Sequence, residues 1–208
     1  SFLIPSKRAP SSNLEITTLW ANSDNFCLIN VIGFYSFKSA STADTLRLAG
    51  LFAGSLAGGA VLSLEGPIGA GKTFFVKGLA IALGAKKLPV SASFNLMRTY
   101  AAGVPLACPP HIPKVWGLST GLKIYHFDLF RVAPEEIENT GFEDYLGLED
   151  GVSALEWAGP ARGILERFDF TELSFSLLGG DSRRVRALAR GPESFRLVEK
   201  VKKAWQKK

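Results

Sequence analysis

The residues with the clearest chemistry form one run, Gly66–Thr73, which reads G-P-I-G-A-G-K-T. Its spacing, G-x-x-x-x-G-K-[ST], is the pattern of a loop that binds the phosphates of a nucleotide. Glycines let the backbone adopt positive φ and approach the phosphates closely, so that the N–H groups of the loop surround them. Lys72 would contact the outer phosphates, and the hydroxyl of Thr73 would bind Mg2+. The run therefore predicts a binding site for a nucleoside triphosphate.

This pattern is informative only where a strand enters the loop and a helix leaves it. Residues 60–65 are suited to a short buried strand, and residues 73–83 are predicted to form a helix that ends at Gly84. The N-terminus of that helix would add the positive end of its dipole to the anion site. An earlier helix is predicted from the N-cap Ser41 to Leu56.

Two acidic residues follow later predicted strands and complete the chemistry. Asp128 ends a strand over residues 122–127, and Glu156 follows a strand over residues 152–155. In enzymes with this loop, one carboxylate completes the Mg2+ shell, and a second can orient or deprotonate the attacking water. Spacing leaves open which carboxylate has which role. Together with the loop, the two acids predict Mg-dependent hydrolysis of the nucleotide.

The length of 208 residues and the apolar fraction of 47% suit one α/β domain with extensions. Residues 1–38 are interpreted as an N-terminal extension, either poorly ordered or a remnant of a transit peptide. The P-loop domain is predicted over residues 39–208, with a Pro- and Gly-rich loop insertion at 101–121. Within it, residues 170–190 alternate as a β-hairpin, and a final helix begins at Pro192.

The net charge of +5 is concentrated late in the sequence, in Arg183, Arg184, Arg186, Arg190 and residues 200–208. A basic C-terminus of this kind is usually a solvated face and occasionally a patch that binds nucleic acid. We favour the solvated face on charge alone.

The two cysteines, Cys27 and Cys108, have no metal-like spacing; they indicate free thiols in a reducing compartment, with one distant disulfide pair as the alternative. The prediction is a cytoplasmic protein, with a plastid or mitochondrial location as the alternative if the N-terminal extension is a transit-peptide remnant. No apolar run reaches the roughly 18 residues that a membrane span needs, so none is predicted.

Five blocks of the sequence resemble the TsaE (YjeE-type) family of small P-loop ATPases, which acts in tRNA threonylcarbamoyladenosine biosynthesis. Gly66–Thr73 is similar to that family's G-D-L-G-A-G-K-T, and Ser91–Phe94 to its S-P-T-[FY] switch segment. Residues 124–131 resemble Y-H-F-D-L-Y-R, residues 134–146 resemble P-E-E-L followed by G-x-x-D-Y, and residues 155–157 resemble I-E-W. The blocks occur in the family's order, which makes the resemblance specific.

The resemblance covers about residues 41–200 and implies a three-layer P-loop NTPase domain. Its sheet would be mixed and largely parallel, with a C-terminal β-hairpin plus helix. ATP and Mg2+ would be the cofactors, and hydrolysis of ATP by the isolated chain would be slow. The implied partners are TsaB-like and TsaD-like subunits, which transfer the threonylcarbamoyl group to an adenosine beside the tRNA anticodon. This chain would contact tRNA only indirectly, through that complex.

The resemblance also implies roles for individual residues. Lys72 and Asp128 would be catalytic, and Thr73 with Glu156 would hold Mg2+. The nucleotide would be bound by Gly66, Ile68, Gly69, Ala70, Gly71, Lys72, Thr73, Ser93 and Trp157. The sequence departs from the family pattern in the switch segment, where Ala92 and Ser93 replace Pro and Thr, and at Phe74, where many members have a second Thr.

Two other functions are compatible with the glycine loop. A small-molecule kinase would need a lid whose arginines reach the phosphates, for which Arg131 and Arg162 are the candidates. Release of free phosphate from ATP without an acceptor would favour the ATPase over this kinase. A nucleotide-dependent RNA-binding module would use the basic C-terminus, and its RNA affinity would fall steeply with salt.

Overall fold

The computed structural model describes residues 14–18, 29–85, 87–89, 96–101 and 121–207. Their strands are β1 (Leu14–Thr18), β2 (Ile29–Ser39), β3 (Val61–Glu65), β4 (Met97–Tyr100), β5 (Lys123–Asp128), β6 (Gly151–Glu156), β7 (Phe170–Gly179) and β8 (Ser182–Ala189). Their α-helices are α1 (Thr42–Ala53), α2 (Lys72–Ala82), α3 (Arg162–Leu165) and α4 (Pro192–Gln206). Short 3-10 helices lie at Pro134–Thr140, Phe142–Tyr145 and Gly159–Ala161.

The described strands form one mixed sheet in the order β1-β2-β8-β7-β3-β6-β5-β4. Strands β5, β6, β3 and β7 are parallel to their neighbours in this central block. The remaining pairings, β1 with β2, β2 with β8, β8 with β7 and β4 with β5, are antiparallel. The carboxyl ends of β3, β5 and β6 therefore meet at one edge, where open α/β sheets bind ligands.

Helices or turns cover both faces of the sheet. Side chains alternate between the faces of a strand, so Leu62 and Leu64 join the core beneath α1, α2 and α4, whereas Val61 joins the core on the opposite face. That second core includes Phe142 from a 3-10 helix and Leu165 from α3. The predicted three-layer α/β fold with a mixed sheet is confirmed.

The capping signal in the sequence accounts for the start of α1. The Ser41 hydroxyl caps α1 by accepting a hydrogen bond from the Asp44 N–H at 3.1 Å, and the Asp44 carboxylate accepts one from the Ala40 N–H at 2.9 Å. Helix α1 ends at Ala53, with Gly54 as its C-cap. The prediction that it reaches Leu56 is therefore three residues too long.

The N-terminal segment differs from the extension predicted over residues 1–38. Strand β2 pairs with β8 from Phe34 to Ser39, so part of this segment belongs to the sheet. Phe37 is fully buried and meets the rings of Phe52 and Trp205 edge-on, at centroid distances of 6.1 and 5.8 Å. The domain boundary predicted at residue 39 is corrected, because a buried, paired strand lies before it.

Two predicted segments lie outside the described residues. Of the insertion predicted at 101–121, residues 102–120 are not described. The whole of Ser91–Phe94, including Ser93, is also outside. The C-terminal hairpin and helix are present as predicted, in β7, β8 and α4.

Among the described residues, no helix is both long enough and apolar enough to cross a membrane.

Candidate functional site

The loop between β3 and α2 has glycine wherever its backbone needs positive φ. Gly66, Gly69 and Gly71 have φ angles of 136°, 79° and 101°, values that L side chains rarely adopt. Gly71 is the N-cap of α2 and carries no side chain that could cap the helix. The first N–H groups of α2 have no side-chain cap, and Gly71, Lys72 and Thr73 line a pocket in which these N–H groups could bind an anion.

Lys72 places a buried ammonium group inside this loop. Lys72 is only 5% exposed. Its Nζ donates hydrogen bonds to the carbonyls of Gly66 at 2.6 Å and Pro67 at 3.1 Å. The same Nζ lies 3.7 Å from the centroid of the Trp157 ring. Burial lowers the pKa of Lys72, and three nearby carboxylates oppose that shift: Glu156, Glu65 and Asp128. The ammonium is thus held in place without a direct ion pair among the described residues.

Thr73 and Glu156 are in direct contact. The Thr73 hydroxyl donates to Glu156 Oε2 at 2.9 Å, and Glu156 Oε1 lies 2.9 Å from His126 Nε2. Glu156 is 3% exposed and His126 is fully buried, so the carboxylate is oriented from both sides. A hydroxyl and a carboxylate oxygen at the mouth of a phosphate loop are the hard donors that Mg2+ prefers. These residues therefore fit the metal that the fold family implies.

Asp128 occupies the neighbouring strand end. It pairs in register with Glu156 across β5 and β6, is 7% exposed, and accepts a hydrogen bond from the Phe130 N–H at 3.2 Å. Because the two strands are parallel and adjacent, both acids reach the same edge of the sheet. Thr73 and Glu156, which are 83 residues apart in the sequence, therefore lie close to Asp128 in the structure.

These groups line one pocket of about 440 Å³. The predicted site residues in its wall are Ile68, Gly69, Gly71, Lys72, Thr73, Asp128, Glu156 and Trp157. Two predicted residues are not in the wall: Ala70 is fully buried, and Gly66 contributes the carbonyl that binds Lys72. Ser93 lies outside the described residues, so its predicted place beside the nucleotide stays a prediction.

Three further residues in the wall were not predicted: Phe74, Lys77 and Phe130. Lys77 is four positions after Thr73 on α2 and so lies on the same helix face, a signal that the sequence contained. His126, which orients Glu156, was not assigned to the site either. Its alternation with Ile124 and Asp128 along β5 was the available signal.

Trp157 has an unusual backbone. Its φ of 59° makes it the single residue other than glycine with positive φ in the described part of the chain. Its N–H donates to the Leu64 carbonyl at 3.1 Å, and its ring lies 4.9 Å from that of Phe130. A backbone held in this sparsely populated region is commonly found at functional sites. Here it turns the indole over Lys72.

The two arginines considered for a kinase lid are not in the pocket wall. Arg162 donates to Glu172 at 2.7 Å and to Glu166 at 3.0 Å, and the hydrogen bond with Glu172 raises its pKa. Arg131 is exposed. The structure therefore offers no support from these residues for a phosphate-clamping lid.

Comparison with known proteins identifies the family. The family model described as threonylcarbamoyl adenosine biosynthesis protein TsaE matches residues 39–185. A tRNA threonylcarbamoyladenosine biosynthesis protein TsaE from Bacillus subtilis (strain 168) is 29% identical over 165 residues, which are 79% of this chain and 92% of that protein. Its counterpart in Nostoc sp. (strain PCC 7120) is 35% identical over 122 residues, 57% of this chain and 65% of that protein.

The fold agrees with this assignment. The crystal structure of Bacillus subtilis YdiB matches with a TM-score of 0.64 and 25% sequence identity, covering 84% of this chain and 97% of that one. The family match spans well over half of the sequence and contains the loop, both carboxylates and Trp157. This chain belongs to the TsaE family of threonylcarbamoyl adenosine biosynthesis proteins.

Proposed function

We propose that this chain binds ATP with Mg2+ in the pocket and hydrolyses the ATP. It would do so as the ATPase component of a complex with TsaB-like and TsaD-like subunits, supporting threonylcarbamoyl modification of the tRNA adenosine next to the anticodon. Membership of the TsaE family supports the role in this pathway. The observation that carries the proposal of hydrolysis is the convergence of Lys72, the Thr73–Glu156 pair and Asp128 in one pocket.

Binding follows from the chemistry of the loop. The N–H groups of residues 69–73 would donate to phosphate oxygens, as they do in other loops of this pattern. Lys72 would exchange its hydrogen bonds with the carbonyls of Gly66 and Pro67 for charge-assisted bonds to phosphate, which are stronger. Thr73 and Glu156 would hold Mg2+, which when bound neutralises the charge on the phosphates.

Hydrolysis needs a group that positions water, and we assign that role to Asp128, which lines the pocket beside Glu156. In the proposed reaction Asp128 accepts a hydrogen bond from the attacking water and takes up its proton. The water oxygen forms a bond to the γ-phosphorus while the bond to the bridging oxygen of ADP breaks. Asp128 lines the pocket and is only 7% exposed, so little solvent competes for its carboxylate.

The first test is an assay of the purified full chain with ATP and no acceptor. Free phosphate should be released slowly, and removal of Mg2+ with EDTA should stop the release. If no free phosphate were released without an acceptor, the proposed hydrolysis would be contradicted and the kinase favoured instead. A pull-down with TsaB-like and TsaD-like subunits, with and without ATP, tests the proposed complex, and failure to associate under both conditions would contradict it.

A further inference from the structure

Arg183 is buried beside the phosphate loop. It is 7% exposed, whereas Arg184 and Arg186 on the same strand are exposed. Alternate residues of a strand face opposite sides, and Arg183 shares its side with Val185, which is fully buried in the core beneath α1 and α2. The solvated basic face predicted for this part of the sequence therefore does not include Arg183.

The Arg183 side chain lies against the turn that begins α2. A Cβ added at Gly71 would clash with Arg183 Nη1. Gly71 is the N-cap of α2 and also part of the pocket wall. The guanidinium therefore lies against Gly71, which also lines the pocket in which the phosphates are predicted to bind.

The charge on Arg183 is not neutralised within the described part of the chain. Nη2 donates to the Asp181 carbonyl at 3.2 Å, while Nε is buried and has no hydrogen-bond partner there. None of the ion pairs among the described residues includes Arg183. Arg162 and Arg190, by contrast, share the carboxylate of Glu172. A buried charge without a counter-charge is unfavourable, and an anion bound nearby would relieve that cost.

We propose that Arg183 is a positioning residue of the nucleotide site, which adds positive charge behind the Gly71 turn and holds that turn for the phosphates. The inference rests on the proposed binding of ATP. Lys72 would act on the phosphates from inside the pocket and Arg183 from behind the loop. Arg183 would then favour a ligand according to the number of phosphates that the ligand carries. Its contribution should be largest for ATP, smaller for ADP and absent for adenosine.

The test compares two arginines on the same strand that differ in burial. Binding of ATP, ADP and adenosine to the purified full chain is measured by calorimetry for wild type, Arg183→Gln and the control Arg184→Gln. Arg183→Gln should weaken ATP binding about tenfold, the effect of one charge several ångströms from the phosphates, and Arg184→Gln by less than about twofold. Affinity for adenosine should be the same in all three proteins.

The melting temperature without nucleotide separates this role from a structural one. If Arg183 serves the phosphates, Arg183→Gln removes a buried unpaired charge and should leave the melting temperature unchanged or higher. If the variant instead melts lower and binds ATP weakly, Arg183→Lys decides. Recovery of ATP affinity with the restored charge supports the proposal, and a lysine variant as weak as the glutamine variant overturns it.

Failure of this inference is distinguishable from failure of the proposed function. If the wild type binds ATP and Arg183→Gln binds it equally well, only the role of Arg183 is overturned. An equal loss of affinity for ATP and adenosine would overturn it as well. If the wild type does not bind ATP at all, the proposed function fails and the role of Arg183 fails with it.

Discussion

The hydroxyl of Thr73, at the start of α2, donates a hydrogen bond of 2.9 Å to the carboxylate of Glu156, at the end of β6. The second oxygen of Glu156 lies 2.9 Å from the buried ring of His126, which holds the carboxylate toward the loop. The two groups proposed to bind Mg2+ are therefore already adjacent and oriented by a neighbour, as ligands of well-organised metal sites are.

Removing the Thr73 hydroxyl should raise the Mg2+ concentration that ATP hydrolysis requires. Thr73→Val keeps the shape of the side chain and removes the oxygen, so the Mg2+ concentration for half-maximal ATP hydrolysis should rise about tenfold or more. Thr73→Ser retains the oxygen and should stay within about threefold of wild type. A Mg2+ titration at fixed ATP measures both. If the valine variant needed no more Mg2+ than wild type, Thr73 would have no part in the metal site.

Lys72→Ala should abolish measurable binding of ATP, because it removes the ammonium that donates to the Gly66 and Pro67 carbonyls and would bind the phosphates. The loss should be about a hundredfold or more in affinity, equivalent to one or two charge-assisted hydrogen bonds. Lys87→Ala, which changes an exposed lysine after α2, is the matched control and should bind normally. Calorimetric titration with ATP is the measurement. If Lys72→Ala bound ATP as tightly as wild type, the assignment of this loop as the ATP-binding site would be wrong.

Asp128→Asn should separate binding from turnover. Asparagine has the same shape but is not a base, so the affinity for ATP should stay within about threefold while the rate of phosphate release falls about a hundredfold or more. Glu149→Gln, on an exposed residue before β6, should leave both quantities unchanged. Steady-state phosphate release and equilibrium binding are measured on the same preparations. Normal turnover in Asp128→Asn would remove Asp128 from the reaction.

ATP binding should change the fluorescence of Trp157. Lys72 Nζ lies 3.7 Å from the centre of its ring, and movement of the ammonium toward phosphate would alter this cation–π contact. Trp157→Phe should eliminate the ATP-dependent signal. Trp205→Phe should preserve it, because Trp205 lies on α4 against Phe37 and Arg47. A signal of unchanged size in Trp157→Phe would show that Trp157 is not its source and would contradict the prediction.

Features that depend on neighbouring residues could be predicted from the sequence. The glycine loop, the Ser41–Asp44 cap and the hairpin of β7 and β8 each follow from residue types within a few positions of one another. The sequence also predicted that Asp128 and Glu156 each end a strand. Because the carboxyl ends of parallel strands meet at one edge of a sheet, both acids were expected at the same edge.

Strand β2 shows where such reasoning stopped. Phe37 and Ser39 are buried and Lys38 between them is exposed, but three alternating positions without a known partner strand could not be distinguished from an extension. Its partner, β8, lies about 150 residues later in the chain. Pairing between such distant segments depends on which faces pack together, and local propensity does not encode that choice.

The sequence by itself determined that a glycine loop, two acids and a tryptophan exist and that each lies at the end or beginning of a regular element. Only the tertiary structure decided which of them touch: that Glu156 bonds Thr73 and His126, that Trp157 covers Lys72, and that Arg183 lies behind Gly71. The physical reason is that alternation along a strand tells which residues share a face. Which residues that face contacts depends on the order of the strands in the sheet, and this order is set by the need to bury both faces of the sheet.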